Sequence, residues 1–302
     1  SGVAYLCQLS QYNKYVVVKM MKKMKLLRMN QVENVMRERA ILQQFDCPFI
    51  VSGFGSFQDK HYLYLAMEFM AGGELFRLLV EKKKLEVAPA RFYAAEVLLA
   101  LEYIHKRGYV YRDLKPENIL LDAQGFSKLA DLGFCKPLKR GEKTYTTCGT
   151  TDYMSPEVML CKGHDRGADL WSFGVFIFEM LAGFAPFESA TDNDRYNKIL
   201  RGTIVFPDDF NLHAKDIVSQ LCTVDVSKRL GYTAAGLEEV KQHRFFAGVD
   251  WRAMEEHKIE PPFKPRQLGA AQLKQLHPLK FKSSAENDPE IKESLNNLFA
   301  NY

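Results

Sequence analysis

The spacing of apolar and polar positions changes period along the chain, and the changes divide it. AYLCQL (residues 4–9) and KYVVVKMM (14–21) alternate and read as two strands either side of a polar turn, SQYNK. After Asn30, a candidate N-cap, NQVENVMRERAILQQF places Val32, Val35, Met36, Ile41 and Leu42 near helical spacing. FIVSGFGSFQDKHYLYLAMEF returns to alternation and predicts further strands. The first part is therefore a small sheet with one helix. A glycine-marked connector and a helix follow in AGGELFRLLVEKKK. Thereafter the patterns are mainly helical, as in APARFYAAEVLLALEYIHKRG, GADLWSFGVFIFEMLAG and LHAKDIVSQLCTV, with a hairpin expected within residues 109–135. From about Pro261, proline, lysine and polar residues predict an extended surface tail. The class expected is α+β: a β-rich part to about Met70, then a larger helical part.

A chain of 302 residues is long enough for two packed lobes. The net charge of +4 is too small to argue for nucleic acid or a membrane surface. Cys7, Cys47, Cys135, Cys148, Cys161 and Cys222 form no C-x-x-C pair, which speaks against zinc. They read as single thiols in a reducing, cytoplasmic compartment. There is no apolar run of about 18 residues and no signal peptide. The abrupt start at SGVAYLC, inside a strand or turn, implies a segment upstream, through which membrane association stays open.

The chemistry gathers in YVYRDLKPENILLDAQGFSKLADLGFC, residues 109 to 135. Asp113, Lys115 and Asn118 fall within six residues, and Asp131 follows an apolar run. A carboxylate and a carboxamide, leaving room for water and phosphate oxygens, suit magnesium rather than zinc, with Asp131 and Asn118 as ligands. Asp113 is then free to accept a proton from a hydroxyl, and Lys115 to hold a transferred phosphoryl group. Singly, each fits a polar loop with an Asx turn; jointly, the fixed spacings favour chemistry. Lys19, after three valines, reads as a half-buried strand lysine whose ammonium needs anions, Glu38 or nucleotide phosphates. As a surface residue it would instead snorkel to water. Gly2 would let backbone approach phosphates closely.

VVVK, YRDLKPEN, DLG, CGTTDYMSPE and DLWSFGVFIFEMLAG, in this order over about residues 2 to 246, together resemble the eukaryotic protein kinase signature set. RLG, HRFFAGVDW, PPFKPR and the terminal FANY are similar to the AGC branch, and KGHD with KTYTTCGT looks closest to its cyclic-AMP- and cyclic-GMP-dependent members. The resemblance implies a catalytic domain over 1–246, with an N-lobe at 1–70, a C-lobe at 71–246 and most of the Gly-rich loop missing, then an AGC tail over 247–302. It implies ATP and magnesium as cofactors and Ser/Thr as acceptor. Lys19 would bind the α- and β-phosphates, paired with Glu38. Asp113 would be the catalytic base, Lys115 the γ-phosphate contact, and Asn118 and Asp131 the metal ligands. Met67 would be the gatekeeper, Glu68, Phe69 and Met70 the hinge, and Val17 and Leu120 the adenine sandwich. Thr146 would be the regulatory phosphosite, facing Arg112 and Lys136, while Thr150 would bond the catalytic Asp and Lys. Glu74, Glu117 and Glu179 would grip arginines before the acceptor. Phe299 and Tyr302 would insert into a groove beside the helix of Glu38. A cyclic-nucleotide-binding regulatory domain or subunit is the implied partner.

The chain also departs from the pattern. Leu132 replaces the usual phenylalanine, a form also found in receptor-directed kinases of this branch, which keeps that class open as an alternative. Ala4 stands where valine would roof adenine, a loss under ~1.5 kcal/mol. Asn34, being neutral, would couple helix and loop more weakly than histidine. Thr151, Asp152 and Ser155 alter the peptide-binding wall in an undetermined direction. Lys19, Asp113 and Asp131 are all present, which argues against a pseudokinase scaffold.

Overall fold

Alternating valines make the small lobe. In the computed structural model, which describes residues 2–9, 14–139, 141–265, 297–299 and 302, β1 (Val3–Leu9) and β2 (Lys14–Lys22) pair antiparallel. Val16 and Val18 are buried with Tyr64 on one face of the sheet, so Val17, Lys19 and Met21 take the other. A short helix, α1 (Lys23–Arg28), leads to α2 (Val32–Gln44). β3 (Gly53–Gln58) and β4 (Tyr62–Glu68) complete a four-stranded sheet of order β1-β2-β4-β3. Asn30 does not cap α2: the N-cap is Gln31, and Asn30 has φ 51°, making the left-handed link between the two helices. Asparagine tolerates that conformation because its short polar side chain bonds locally.

The larger lobe opens with β5 (Gly73–Glu74) running into α3 (Leu75–Lys82), then the long α4 (Val87–Lys106). β6 (Tyr109–Val110) precedes the polar loop and pairs with β9 (Lys136–Pro137). Between them β7 (Ile119–Leu121) and β8 (Ser127–Leu129) form the expected hairpin, with β5 on its edge. α5 (Pro156–Met159) and α6 (Gly167–Ala182) follow, then α7 (Asp192–Arg201), α8 (Leu212–Leu221), α9 (Leu237–Lys241) and α10 (Trp251–Glu255). α6 is buried along nearly its whole length and packs on α4 and α8. It is apolar all round, as a central helix must be. The two-lobed α+β architecture read from the pattern is the one the chain adopts. No helix among the described residues is long and apolar enough to cross a membrane. The expected tail is described to Pro265 and again near the C-terminus; its middle lies outside the described residues.

Candidate active site

Burial makes Lys19 expensive, and two acids compensate it. Its Nζ lies 2.7 Å and 2.9 Å from the two carboxylate oxygens of Glu38, which α2 turns inward. Asp131 Oδ1 is 3.9 Å from the same nitrogen. Burial lowers the Lys19 pKa, but the Glu38 and Asp131 charges outweigh it, and the net shift is upward. The ammonium thus ties β2, α2 and the segment after β8 into one cluster.

Asp131 adopts φ 50° and accepts a bond from Gly133 N–H at 3.3 Å. Its side chain is 46% exposed, so it faces the opening between the lobes rather than the core. Leu132, next to it, is fully buried, and the Leu132–Phe134 turn packs on α2. Leucine therefore fills the apolar position that phenylalanine would take.

Across from this, Asn118 donates through Nδ2 to the Asp113 backbone oxygen and to Asp113 Oδ2, both at 2.8 Å. The amide oxygen of Asn118 is left as an acceptor. Lys115 Nζ sits 3.4 Å from Asp113 Oδ2 and donates to Thr150 Oγ1 at 2.8 Å. Burial raises the Asp113 carboxyl above the usual carboxylate range, although Lys115 and Asn118 pull the other way. Among the described residues no group of three or more His, Cys, Asp or Glu could cage a metal. One carboxylate and one amide oxygen, with the remaining positions supplied by water and phosphate, fit a hard cation such as magnesium.

The loop bearing Asp113 is held from below by the first residue of the DLWSFGVFIFEMLAG motif, to which the sequence reading gave no role. Asp169 of α6, fully buried, accepts from Tyr111 N–H at 2.9 Å and from Arg112 N–H at 2.8 Å, and His105 Nε2 lies 2.7 Å away. This holds Arg112 at φ 73°, a conformation costly for a residue with a Cβ. The signal for Asp169 was an acid inside an otherwise apolar helix. Arg229, also missed, is fully buried and forms a forked ion pair with Glu157, at 2.7 and 3.0 Å. It fixes the C-terminal end of the segment that carries Thr150.

The remaining predicted residues fall on this frame in different ways. Val17 pairs with Met67 across β2 and β4, and both are half-buried. Met70 is buried. Glu68 spends its carboxylate on Lys128, at 2.8 Å from both oxygens, and on Ser52 N–H, so only its backbone is available at the lobe junction. Leu120 is half-buried on β7, opposite Lys128 and Glu74. Gly2 has a packing reason of its own: a Cβ there would come within 2.8 Å of the Met20 carbonyl and of Met21 Cγ.

Thr146 is exposed, while Thr144 is buried and takes the Lys136 ammonium at 2.9 Å. Lys136 is therefore committed two residues short of Thr146. Arg112 donates through Nε to Phe134 O at 2.7 Å, and its Nη1 is buried without a hydrogen-bond partner among the described residues. Burial and then the Arg37 charge lower the Arg112 pKa, so a cation of α2 does approach this loop, from Arg37 rather than from position 34. Asn34 instead bonds Gln31 and Arg37 along its own helix.

Glu117 is exposed in the Pro116–Asn118 turn, and Glu74 is half-buried where β5 meets α3. Glu179 accepts from the Tyr153 hydroxyl. Burial raises the Glu179 carboxyl, with Glu117, Asp152 and Glu188 adding to the rise against the Tyr153 bond. These acids thus share one field. At the C-terminus, Phe299 is fully buried and Tyr302 nearly so. Gln58 Nε2 donates to Phe299 O at 2.8 Å, and Lys23 and Arg39 stand over the Phe299 and Tyr302 rings at 5.4 and 5.6 Å.

Comparison with known proteins gives a consistent picture. The sequence pattern of the protein kinase domain matches residues 1–246. A cAMP-dependent protein kinase catalytic subunit of Dictyostelium discoideum is 43% identical over 265 residues, 88% of this chain and 41% of that protein. The human cAMP-dependent protein kinase catalytic subunit PRKX is 39% identical over 287 residues, 95% of this chain and 78% of that protein. A cGMP-dependent protein kinase of Drosophila melanogaster, isozyme 2 forms cD5/T2, is 43% identical over 250 residues, 82% of this chain and 27% of its own length. The chain therefore spans well under half of the Dictyostelium and Drosophila relatives.

Proposed function

The chain belongs to the protein kinase domain family, ATP-dependent phosphotransferases, and to its AGC branch, and from that premise we propose that it moves the ATP γ-phosphate to serine or threonine in basic protein segments. The observation that carries this is the pair of facing clusters: Lys19 with Glu38 and Asp131 on one side, Asp113 with Lys115 and Asn118 on the other.

In this reading Lys19 binds the α- and β-phosphates, and Glu38 keeps its ammonium aimed. Val17, Leu120 and Met67 enclose adenine, and the Glu68–Met70 backbone meets its edge. Asn118 and Asp131 hold magnesium through oxygen. Magnesium bound there supplies positive charge to the phosphate oxygens. Asp113 accepts the proton of the acceptor hydroxyl as its oxygen bonds the γ-phosphorus and the bond to ADP breaks. Burial strengthens Asp113 as a base, since it disfavours the charged carboxylate. Lys115 neutralises charge on the transferred group, and Thr150 fixes its position. Positioning and charge are what this reaction asks of a protein.

Glu74, Glu117 and Glu179 select arginine before the acceptor by charge-assisted bonds. Phosphate on Thr146 would meet Arg112. The names of the relatives support restraint by a cyclic-nucleotide-binding domain or subunit. Six free cysteines are in keeping with a cytoplasmic setting. The test is peptide phosphorylation by Asp113→Asn and Asp131→Ala variants with folding checked by circular dichroism. Folded variants without turnover are expected. Near-normal activity in either would overturn the assignment.

A further inference from the structure

The wall that follows Thr150 carries an acid whose partner comes from elsewhere in the fold. Asp152 lies in the Thr151–Tyr153 turn, between Thr150, which takes the Lys115 ammonium, and Tyr153, which donates to Glu179. Its carboxylate contributes to the field felt by Glu179, together with Glu117 and Glu188. Yet Asp152 is already paired. Arg195 of α7 brings Nε to 2.9 Å from Asp152 Oδ1, with side chains 23% and 33% exposed. The same guanidinium donates through Nη1 to Asp192 Oδ1 at 3.1 Å, which holds it from its own helix. A cation thus sits on an acid that shares the field of Glu179 with Glu117.

We propose that Arg195 is a specificity-determining residue: it occupies Asp152 as an internal counter-ion, so that the groove accepts substrate arginines at Glu74, Glu117 and Glu179 and gains nothing from a further basic residue aimed at Asp152. This rests on the reading of the groove as one for basic segments. Arg195 touches neither ATP nor the acceptor hydroxyl, so its effect falls on KM for particular peptides and not on kcat. It also gives a direction to the altered wall at Asp152: an acid that contributes no preference of its own.

The experiment compares kcat/KM for a parent peptide with two arginines before the acceptor serine and for derivatives with one extra arginine, moved stepwise further from the serine. An arginine-free peptide is the reference. In the natural protein the extra arginine should change nothing at any position. Arg195→Ala and Arg195→Gln should each improve one or two adjacent derivatives by about tenfold, through KM, and leave the parent unchanged. Asp152→Asn alone should be silent across the series, and the double variant Arg195→Ala/Asp152→Asn should lose the gain. A flat series in both Arg195 variants, a gain that survives in the double variant, or a loss on extra-arginine peptides in Asp152→Asn alone would each overturn the proposal. If the parent peptide is no better than the arginine-free one, the basic-segment reading itself falls. A retained parent preference with a flat series removes only the role of Arg195.

Discussion

Truncating Phe299 tests whether the C-terminus controls the cluster around Lys19. The residue is fully buried, and its ring lies under the Lys23 ammonium while its carbonyl takes the Gln58 amide. Phe299 and Tyr302 are the buried residues described at this end of the chain. Removing a buried phenylalanine side chain costs about 3–5 kcal/mol when the rest of the structure must stay put. If that cost appears as undocking of Phe299 from the small lobe, it is about a hundredfold in the docking equilibrium at 3 kcal/mol. The consequence passes to α2, because Arg39 of that helix stands over Tyr302 and bonds Ser56 of β3, and Glu38 lies one residue earlier. Phe299→Ala should therefore speed backbone hydrogen exchange across Val32–Gln44 and lower kcat/KM for ATP by tenfold or more. Tyr302→Phe provides the contrast: its hydroxyl is buried without a hydrogen-bond partner among the described residues, so removing it should be neutral or stabilising. Unchanged α2 exchange and kinetics in Phe299→Ala, or greater damage from Tyr302→Phe, would refute the reasoning.

Glu96 should make stability fall with rising pH. It is buried, with Ser127 N–H and Oγ donating to one oxygen and the other left without a partner, and burial pushes its pKa up to about 8. The folded state therefore keeps a proton that the unfolded state releases, so the contribution is full below the ordinary carboxylate pKa and is lost as pH rises through about 8. Unfolding free energies from urea titrations at pH 5 to 9 should fall by on the order of 4 kcal/mol more in the natural protein than in Glu96→Gln, and parallel curves would exclude it. Phosphate on Thr146 would add roughly −1.5 to −2 charges near Arg112, toward which Arg37 also brings positive charge. Thr146→Ala and Arg37→Gln should each lower kcat/KM and in combination lose less than the sum, whereas strict additivity would show that they share no switch.

What was legible in the chain followed the range of the interactions involved. Strand and helix periods are local, and they located β1, β2, α2, α4 and α6. The catalytic motifs were legible for the same reason, since Asp113, Lys115 and Asn118 meet through a few residues of backbone. Lys23–Arg28 escaped because six residues, entered from a strand without a side-chain cap, break the alternation too briefly to be seen. Asn30 was misplaced because the residue type that caps helices also tolerates a left-handed turn. Lys136 was placed beside Thr146 by the resemblance; that its ammonium bonds Thr144 could be seen only from the packing. Partners brought from afar left almost no trace. Asp169 at least stood out as an acid in an apolar helix, but Arg37, Lys128 and Arg195 look like any surface cation until α2, β8 and α7 are packed. Counting acids along the chain would make the peptide groove more acidic at Asp152. Only the docking of α7 brings Arg195 Nε to 2.9 Å from Asp152 Oδ1; under the role proposed for Arg195, substrate preference would depend on which acids the fold leaves unpaired.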